Sequence, residues 1–359
     1  VIRSDPWFLD KGKPITLDWN LLWHKVWDSY RENHCIRLRN RWLSYTELAE
    51  EAERLTGLLH ARSEWHAGAL VLLPVKGEDF FAKLIAVWNA SGVAVPARDV
   101  ESGSPEHAIV TADFFWGDEH PVPIISGSDL PSSQWHAIYC TSGSTGRPRP
   151  IVRGWRQALY EAGHYCSVLG LREGMDCTML IHPSFGASTK HFLGCLLSGC
   201  RQAVPSVTGS TIRGGNLLYG TPSQILSCAS KLSSSQRFDL ISLTGEPCSP
   251  RVWEAIRSLA SSRAKCLNAL GGTETGVLIN SLSDIGSKQD PNGTLSGVGL
   301  KGKELSVVNE NEEPLPAGTP GLLKVESEWI AEGYLDRNPE GMIVFHPFQK
   351  RGETRSFLT

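Results

Sequence analysis

Short apolar segments alternate with stretches of helical spacing as far as about Ser281, and this rhythm constrains the fold more than any other feature of the chain. Ala69-Leu-Val-Leu-Leu-Pro74 reads as a buried strand, Phe80–Ala90 as a helix and Gly92-Val-Ala-Val-Pro96 as the next strand. Upstream, Ser44 or Thr46 caps a helix in which Leu48, Ala52, Leu55, Leu58 and Leu59 recur at helical spacing. Downstream, Trp135–Cys140 is a strand running into a Ser/Thr/Gly loop, and Gln157–Leu169 is helical. Thr178–Ile181, Leu217–Tyr219, Leu240–Leu243 and Lys265–Leu267 read as successive strands, with helices such as Pro250–Ala260 between them. Strands apolar on both faces and joined by helices make a parallel α/β sheet with covered faces. After Ser281 the pattern changes to short, turn-bounded strands at Gly297–Gly299, Glu304–Asn309 and Gly321–Glu326, which predict a small antiparallel barrel or sheet.

A chain of 359 residues exceeds the usual single-domain size, so two or three packed subdomains are expected. Its 35 Lys+Arg against 38 Asp+Glu leave a net charge of −3, which argues against a basic nucleic-acid binder or a polybasic membrane binder. No apolar run approaches the roughly 18–20 residues of a membrane span. Nine cysteines, an odd number without CxxC pairing, point to reduced and mostly buried thiols in a cytosolic protein rather than to disulfides or zinc. The start, Val1-Ile2-Arg3-Ser4-Asp5-Pro6, has neither a signal-peptide core nor a Met, so a trimmed piece of a longer protein is expected.

The most informative loop is Thr141-Ser142-Gly143-Ser144-Thr145-Gly146-Arg147-Pro148-Arg149. Its small residues let backbone N–H groups approach an anion, its four hydroxyls donate to phosphate oxygens, and Arg147 and Arg149 add positive charge. It is not a GxxxxGK[ST] loop, because no Lys-Ser/Thr follows. Without further context an ordinary surface loop remains the alternative. Three more segments follow strands or apolar stretches: Thr244-Gly245-Glu246-Pro247, Asn268-Ala269-Leu270-Gly271-Gly272-Thr273-Glu274, and Ile330-Ala331-Glu332-Gly333-Tyr334-Leu335.

Together these segments resemble the adenylate-forming superfamily, which includes nonribosomal peptide synthetase adenylation domains, acyl- and aryl-CoA ligases, and luciferase-like enzymes. Six motifs fall in the family's order. Leu43–Leu48 stands for the early helix motif, Trp88–Pro96 for "KAGxAYVP", and Thr141–Arg149 for "TSGTTGxPK". Gly245-Glu246-Pro247 stands for "GExL", Leu270–Glu274 for "YGxTE", and Gly321–Leu335 for "GELxIxGxxVAxGYL". Rhythm and resemblance predict an α/β fold: two packed α/β sheet subdomains (1–135 and 136–285) and a small antiparallel β subdomain (286–359). Phe357-Leu358-Thr359 is similar to the start of "Y-R-T-G-D", which places the family's hinge, mobile C-terminal domain and catalytic Lys beyond this chain. The stretches after Asp99 and Pro205 are short for the family, implying a compact member or loops missing from the chain.

The resemblance implies ATP-dependent activation of a carboxylic acid to an acyl-adenylate, with ATP and Mg²⁺ as cofactors and coenzyme A or a carrier-protein phosphopantetheine as acceptor. It assigns Thr141, Ser142, Gly143, Ser144, Thr145 and Gly146 to the β- and γ-phosphates, Thr273 to the α-phosphate and Glu274 to Mg²⁺. Gly245, Glu246 and Pro247 would border adenine, as would Asn268, Ala269, Leu270 and Gly271. Leu270 replaces the usual aromatic partner of adenine, and Arg149-Pro150 replaces Lys-Gly. These departures, with the missing C-terminal part, keep open a nucleotide-binding module without turnover.

His182-Pro-Ser-Phe185-Gly186-Ala187-Ser188-Thr189-Lys190 resembles "F-D-x-S-x-x-E" of peptide synthetases, whose Asp pairs with the substrate ammonium. Gly186 offers no such charge, so the resemblance implies an acid without a free α-ammonium. It also places Lys190, Tyr219, Ser242, Thr244, Ala269, Val277 and Leu278 around the acyl pocket. Lys190 either recognises a second acceptor on the acid or snorkels to solvent from a helix face. His182 either gates the pocket or is a structural histidine.

Overall fold

A computed structural model describes residues 6–11, 13–39, 41–98, 112–117, 120–123, 130, 134–141, 149–232, 236–285, 297–338 and 343–358. Among them the strands form two large sheets, a small sheet and a two-stranded ribbon. The nine-stranded sheet runs in the order Val298–Gly299, Gly276–Asp284, Ala260–Gly272, Phe238–Thr244, Gly215–Gly220, Asp176–Met179, Arg201–Ala203, His34–Arg37 and Trp42–Ser44. From Ala260–Gly272 to His34–Arg37 its neighbours are parallel, and the flanking pairs are antiparallel. The eight-stranded sheet runs Ile343–Pro347, Gly333–Arg337, Arg149–Gly154, Trp135–Thr141, Val93–Ala97, Leu70–Pro74, Phe114–Phe115 and Val122–Pro123. Neither large sheet is contiguous in sequence. Observed elements lie within a few residues of the expected ones: the helix expected over Gln157–Leu169 begins at Trp155, and that expected over Phe80–Ala90 ends at Asn89.

Alternation along the strands explains the layering. Val71, Leu73 and Ala94 of one sheet and Cys177, Met179, Leu217 and Tyr219 of the other face a common core. Helices Trp19–Tyr30, Tyr45–His60, Phe80–Asn89, Trp155–Leu169 and Gly186–Leu197 add their buried faces to it. The residues between turn the other way. Leu70, Leu72, Val93 and Val95 join a second cluster, and Leu218, Ile241 and Leu243 pack with helices Pro222–Ala229 and Pro250–Leu259. This is the period-two signature of sheets covered on both faces. In the shared core Trp19 stacks on Trp155 at 5.1 Å, and Trp88 meets the two edge-on at 5.0 and 5.2 Å.

The tail is antiparallel as expected, with Glu304–Val308, Leu322–Ser327, Thr354–Leu358 and Lys350–Arg351 in one four-stranded sheet. Two of its strands leave that sheet. Gly333–Arg337 pairs with Arg149–Gly154, Ile151 opposite Tyr334, and Ile343–Pro347 follows outside it. Without them the Arg149–Gly154 strand would present a row of unpaired backbone groups at a sheet edge. All nine cysteines are free and all but Cys140 are buried. The sulfurs of Cys177, Cys195 and Cys200 lie within 4.8 Å of one another. Among the described residues no helix is long and apolar enough to cross a membrane.

Ser44, rather than Thr46, caps the Tyr45–His60 helix. Its hydroxyl accepts from the Glu47 N–H at 3.1 Å, and the Glu47 carboxylate accepts from the Ser44 N–H at 2.7 Å. Thr46 instead donates to the Arg31 carbonyl at 3.0 Å. Replacing Ser44 by Ala should cost about 1 kcal/mol, read as a lower urea midpoint at unchanged slope; an unchanged midpoint would show that the cap contributes nothing.

Candidate active site

Strand ends assemble the first part of the site. Thr141 and Arg149 face each other across an antiparallel pair, so they are the two feet of the hydroxyl-rich loop. Ser142, Gly143, Ser144, Thr145 and Gly146 lie outside the described residues. The Arg149 guanidinium sits 3.9 Å from the centre of the Tyr334 ring, a cation–π contact. The Tyr334 hydroxyl donates to Glu274 Oε1 at 3.2 Å, and the Glu274 carbonyl accepts from the Ala331 N–H at 2.7 Å. Tyr334 thus couples the foot of the loop, in the eight-stranded sheet, to the Gly272–Gly276 turn of the nine-stranded sheet. The other Glu274 oxygen, Oε2, has no hydrogen bond among the described residues, leaving a half-buried hard oxygen of the kind that suits a divalent cation.

Leu270 is 44 % exposed and presents an open aliphatic face beside Gly271 and Gly272. Gly245 follows the Phe238–Thr244 strand with φ +88°, a left-handed conformation suited to glycine. The Glu246 carboxylate accepts from the Ser223 N–H at 3.0 Å and its hydroxyl at 2.8 Å, fastening this loop to the start of the Pro222–Ala229 helix. Pro247 is exposed and Asn268 half-buried. Thr244 donates to the Ala269 carbonyl at 3.3 Å.

The second part is a buried charge cluster. Arg153 is 1 % exposed and donates three ways: Nη2 to Glu161 Oε2 at 2.6 Å, Nε to Gln157 Oε1 at 3.0 Å and Nη1 to the Gly186 carbonyl at 3.0 Å. Gln157 donates to Glu161 Oε1 at 3.3 Å. Glu161 packs directly against Gly276. The Lys303 ammonium donates to the Thr275 carbonyl and, at 2.9 Å, to the Val277 carbonyl, bracing the same turn. Burial would raise the Glu161 carboxyl, but Arg153, Lys303 and Lys190 outweigh it and hold it below its usual range.

Gly186 touches both parts. A Cβ at this position would meet Thr273 Cγ2 at 2.8 Å, Arg153 Nη1 at 3.3 Å and Tyr139 Cδ2 at 3.4 Å. Lys190 lies one helical turn further on, 4 % exposed, its ammonium 5.2 Å from the Tyr165 ring centre and 5.9 Å from that of Tyr219. It does not reach solvent, so the snorkelling alternative does not hold. Burial first, and then Arg153, pull the Lys190 ammonium down to about 8 despite Glu161; Lys303 is likewise lowered to about 8 by burial, Arg153 and Lys190.

Tyr219 donates to the Ala187 carbonyl at 2.9 Å, and the Tyr165 and Ser242 hydroxyls meet at 2.9 Å. Ala187, Lys190, Tyr219 and Ser242 therefore belong to one neighbourhood, and Val277 joins through Lys303. Leu278 turns the other way, into a cluster with Val325 and Ile330. Phe185 is 47 % exposed, with the Arg98 guanidinium 5.8 Å from its ring centre. His182 is buried, Nδ1 at 2.8 Å from the Ser184 hydroxyl. Arg153, Glu161, Lys303 and Tyr165 were not singled out in the sequence, and Tyr334 stands there only as part of the Ile330–Leu335 segment, without a role. Only Gln157 and Glu161, four residues apart, share a face of the Trp155–Leu169 helix; Arg153 lies in the strand before it, so no helical spacing links all three.

The family described as "AMP-binding enzyme" matches residues 119–335. A linear gramicidin synthase of Brevibacillus parabrevis is 24 % identical over 402 residues, an alignment covering 96 % of this chain and 8 % of that protein. Nonribosomal peptide synthetase inpA of Emericella nidulans is 25 % identical over 346 residues, covering 85 % of this chain and 23 % of that protein. The chain therefore spans less than a quarter of either relative. Among solved structures, the N-terminal subdomain of Klebsiella oxytoca NpsA in complex with 3-hydroxyanthranilyl-AMSN superposes with a TM-score of 0.68 at 20 % identity, covering 92 % of this chain and 98 % of that one. At that identity the likeness establishes the fold.

The lowered lysines make stability pH-dependent. Between about 8 and the ordinary 10.5 the unfolded chain binds more protons at Lys190 and Lys303 than the folded one, so their burial penalty is complete below pH 8 and relieved as pH rises. The urea midpoint of the wild type should therefore climb relative to that of Lys190→Met between pH 8 and 10. A difference independent of pH would show that Lys190 is solvated.

Proposed function

Because the chain belongs to the AMP-binding enzyme family, we propose that it activates a carboxylic acid with ATP, forming an acyl-adenylate and releasing pyrophosphate. The observation that carries this reading is the Arg149–Tyr334–Glu274 chain of contacts, with Thr273 against Gly186. It brings the foot of the phosphate-type loop, a free carboxylate oxygen and the start of the acyl segment to one place. A carboxylate oxygen of the acid attacks the α-phosphorus of ATP, a new P–O bond forms, and the bond to the bridging oxygen of pyrophosphate breaks. Such a step needs positioning and charge stabilisation rather than a protein nucleophile. In this reading Thr141–Gly146 and Arg149 bind the outer phosphates, Thr273 orients the α-phosphate, and adenine lies over Leu270 between Gly245–Pro247 and Asn268–Gly271. Glu274 Oε2 would hold Mg²⁺, whose charge would offset that of the phosphates. The acyl group then passes to a thiol, of coenzyme A or a carrier-protein phosphopantetheine.

The acid lacks an α-ammonium. The position at which relatives of peptide-synthetase type place an Asp is here Gly186, and the nearest charge is the Arg153 guanidinium, donating to the Gly186 carbonyl at 3.0 Å. An ammonium there would be desolvated with no free carboxylate to meet it, because Glu161 is already held by Arg153 and Gln157. Enlarging Gly186 does not invert this preference, because a Cβ collides with Thr273. Gly186→Asp should lower turnover of every acid rather than admit amino acids.

Pyrophosphate exchange by the full-length protein tests both statements. With pairs of acids differing only at the α-amino group, the deaminated member should be preferred at least about tenfold, the low end for a lost charged interaction; preference for the amino acid would refute the Gly186–Arg153 argument. Tyr334→Phe should weaken apparent Mg²⁺ affinity by roughly 10–100-fold, as loss of an outer-shell ligand partner does, and Glu274→Gln should weaken it further. Unchanged Mg²⁺ dependence in both variants would remove Glu274 from the metal.

A further inference from the structure

We propose that the activated acid carries a second, distal carboxylate, and that Lys190 is its counter-ion at the inner end of the acyl pocket. The inference rests on the acid-activating reading of this site and narrows its substrate to the dicarboxylic acids.

The argument begins with charge. Arg153, Lys190 and Lys303 are 1, 4 and 7 % exposed and bring three positive charges, while Glu161, 2 % exposed, brings one negative, leaving an excess of two. The partners are unevenly shared. Arg153 is bonded to Glu161, Gln157 and the Gly186 carbonyl. Lys303 is bonded to the Thr275 and Val277 carbonyls. Glu161 has one oxygen on Arg153 and the other on Gln157. Lys190 alone has neither a hydrogen bond nor an ion pair among the described residues. What surrounds its ammonium is the faces of Tyr165 and Tyr219, at 5.2 and 5.9 Å, cation–π contacts that carry no negative charge. The nearby histidines offer no negative charge, and burial holds them neutral: His191 is pushed down to about 3 and His164 to about 4.

A buried ammonium without a partner destabilises the free protein, and an anion delivered to it by a ligand reverses that cost. Its position fits such a ligand. Lys190 is one turn along the helix from Gly186, a rise of about 6 Å, and Gly186 lies against Thr273, where the reacting carboxylate is expected. An acid that places one carboxylate at Thr273 extends inward toward Tyr219, Ser242 and Lys190. A neutral polar group would accept a hydrogen bond from the ammonium but leave both excess charges, whereas a carboxylate removes one.

The test pairs monocarboxylic and dicarboxylic acids of equal length, butanoic to hexanoic against butanedioic to hexanedioic, with benzoic against benzene-1,3- and benzene-1,4-dicarboxylic acid. Pyrophosphate exchange and calorimetry without ATP are both run on the full-length protein and on Lys190→Met and Lys190→Gln. In the wild type at least one diacid should exceed its monoacid by roughly ten- to a hundredfold in kcat/KM and in affinity, the range for a charged hydrogen bond in a dry site. Both variants should lose that ratio. Lys190→Met should melt above the wild type at pH 7, and the preferred diacid should raise the melting temperature of the wild type only. Monoacids equal or better at every length, or a diacid preference kept by both variants, would overturn the inference. If no acid supports exchange, the acid-activating reading fails, while the calorimetric comparison still decides whether Lys190 binds a second carboxylate.

Discussion

Arg153 holds the two large sheets to one geometry. It lies one residue before the end of the Arg149–Gly154 strand of the eight-stranded sheet, and its guanidinium grips the Trp155–Leu169 helix through Gln157 and Glu161 and the first turn of the Gly186–Leu197 helix through the Gly186 carbonyl. Glu161 carries the connection on to Gly276, in the turn that bears Thr273 and Glu274. A rigid fork with five donors can make these bonds at once, which an ammonium on a flexible stem cannot. Three stretches far apart in sequence, the strand and helix over 149–169, the start of the Gly186–Leu197 helix and the Gly272–Gly276 turn, thus take their relative positions from one side chain and its carboxylate.

Such a pair is no source of stability by itself. Taking both ions out of water costs several kcal/mol each, and the gain from their attraction repays this only when the remaining donors and acceptors are satisfied. Here they are: both Glu161 oxygens and three Arg153 nitrogens have partners. Removing either residue strands the other in the core, so the pair is more consequential broken than formed. Its neighbourhood must also stay small. Gly276, at φ +65°, leaves room for the Glu161 carboxylate, and Gly186 leaves room for Thr273.

The alternation of apolar strands and helices was legible because it follows from covering a parallel sheet on both faces, and so were the strand-end loops. The exchange of Gly333–Arg337 into the eight-stranded sheet was not, since nothing local in Gly333-Tyr-Leu distinguishes a strand that pairs with Leu322–Ser327 from one that pairs with Arg149–Gly154. The resemblance led to the neighbourhood of Lys190 but left its direction open, because a lysine on a helix reads alike whether it reaches water or the core. Arg153 and Glu161 were hidden for a related reason. Eight residues apart across a strand–helix junction, they look like two surface charges until the helix is turned to bury its Gln157 face. Lys303 had no sequence signal, for its partners are backbone carbonyls of a turn more than twenty residues away.

Gly186, Arg153 and Lys190 are best understood together. If the resemblance to peptide-synthetase pockets holds, the position of their Asp is here a glycine beside the Arg153 guanidinium, and one turn further on an ammonium is buried among tyrosines. Each change alone is costly. Losing the Asp with an amino-acid ligand would leave that ligand's ammonium unpaired, and adding Lys190 without an anion leaves the lysine unpaired. Made together, they would reverse the polarity of the proposed acyl pocket, so that the charge it lacks would be negative. In the proposed reading the reacting carboxylate would be the anion at one end, Lys190 would pair with another at the far end, and the cation excess would match a ligand with two negative ends.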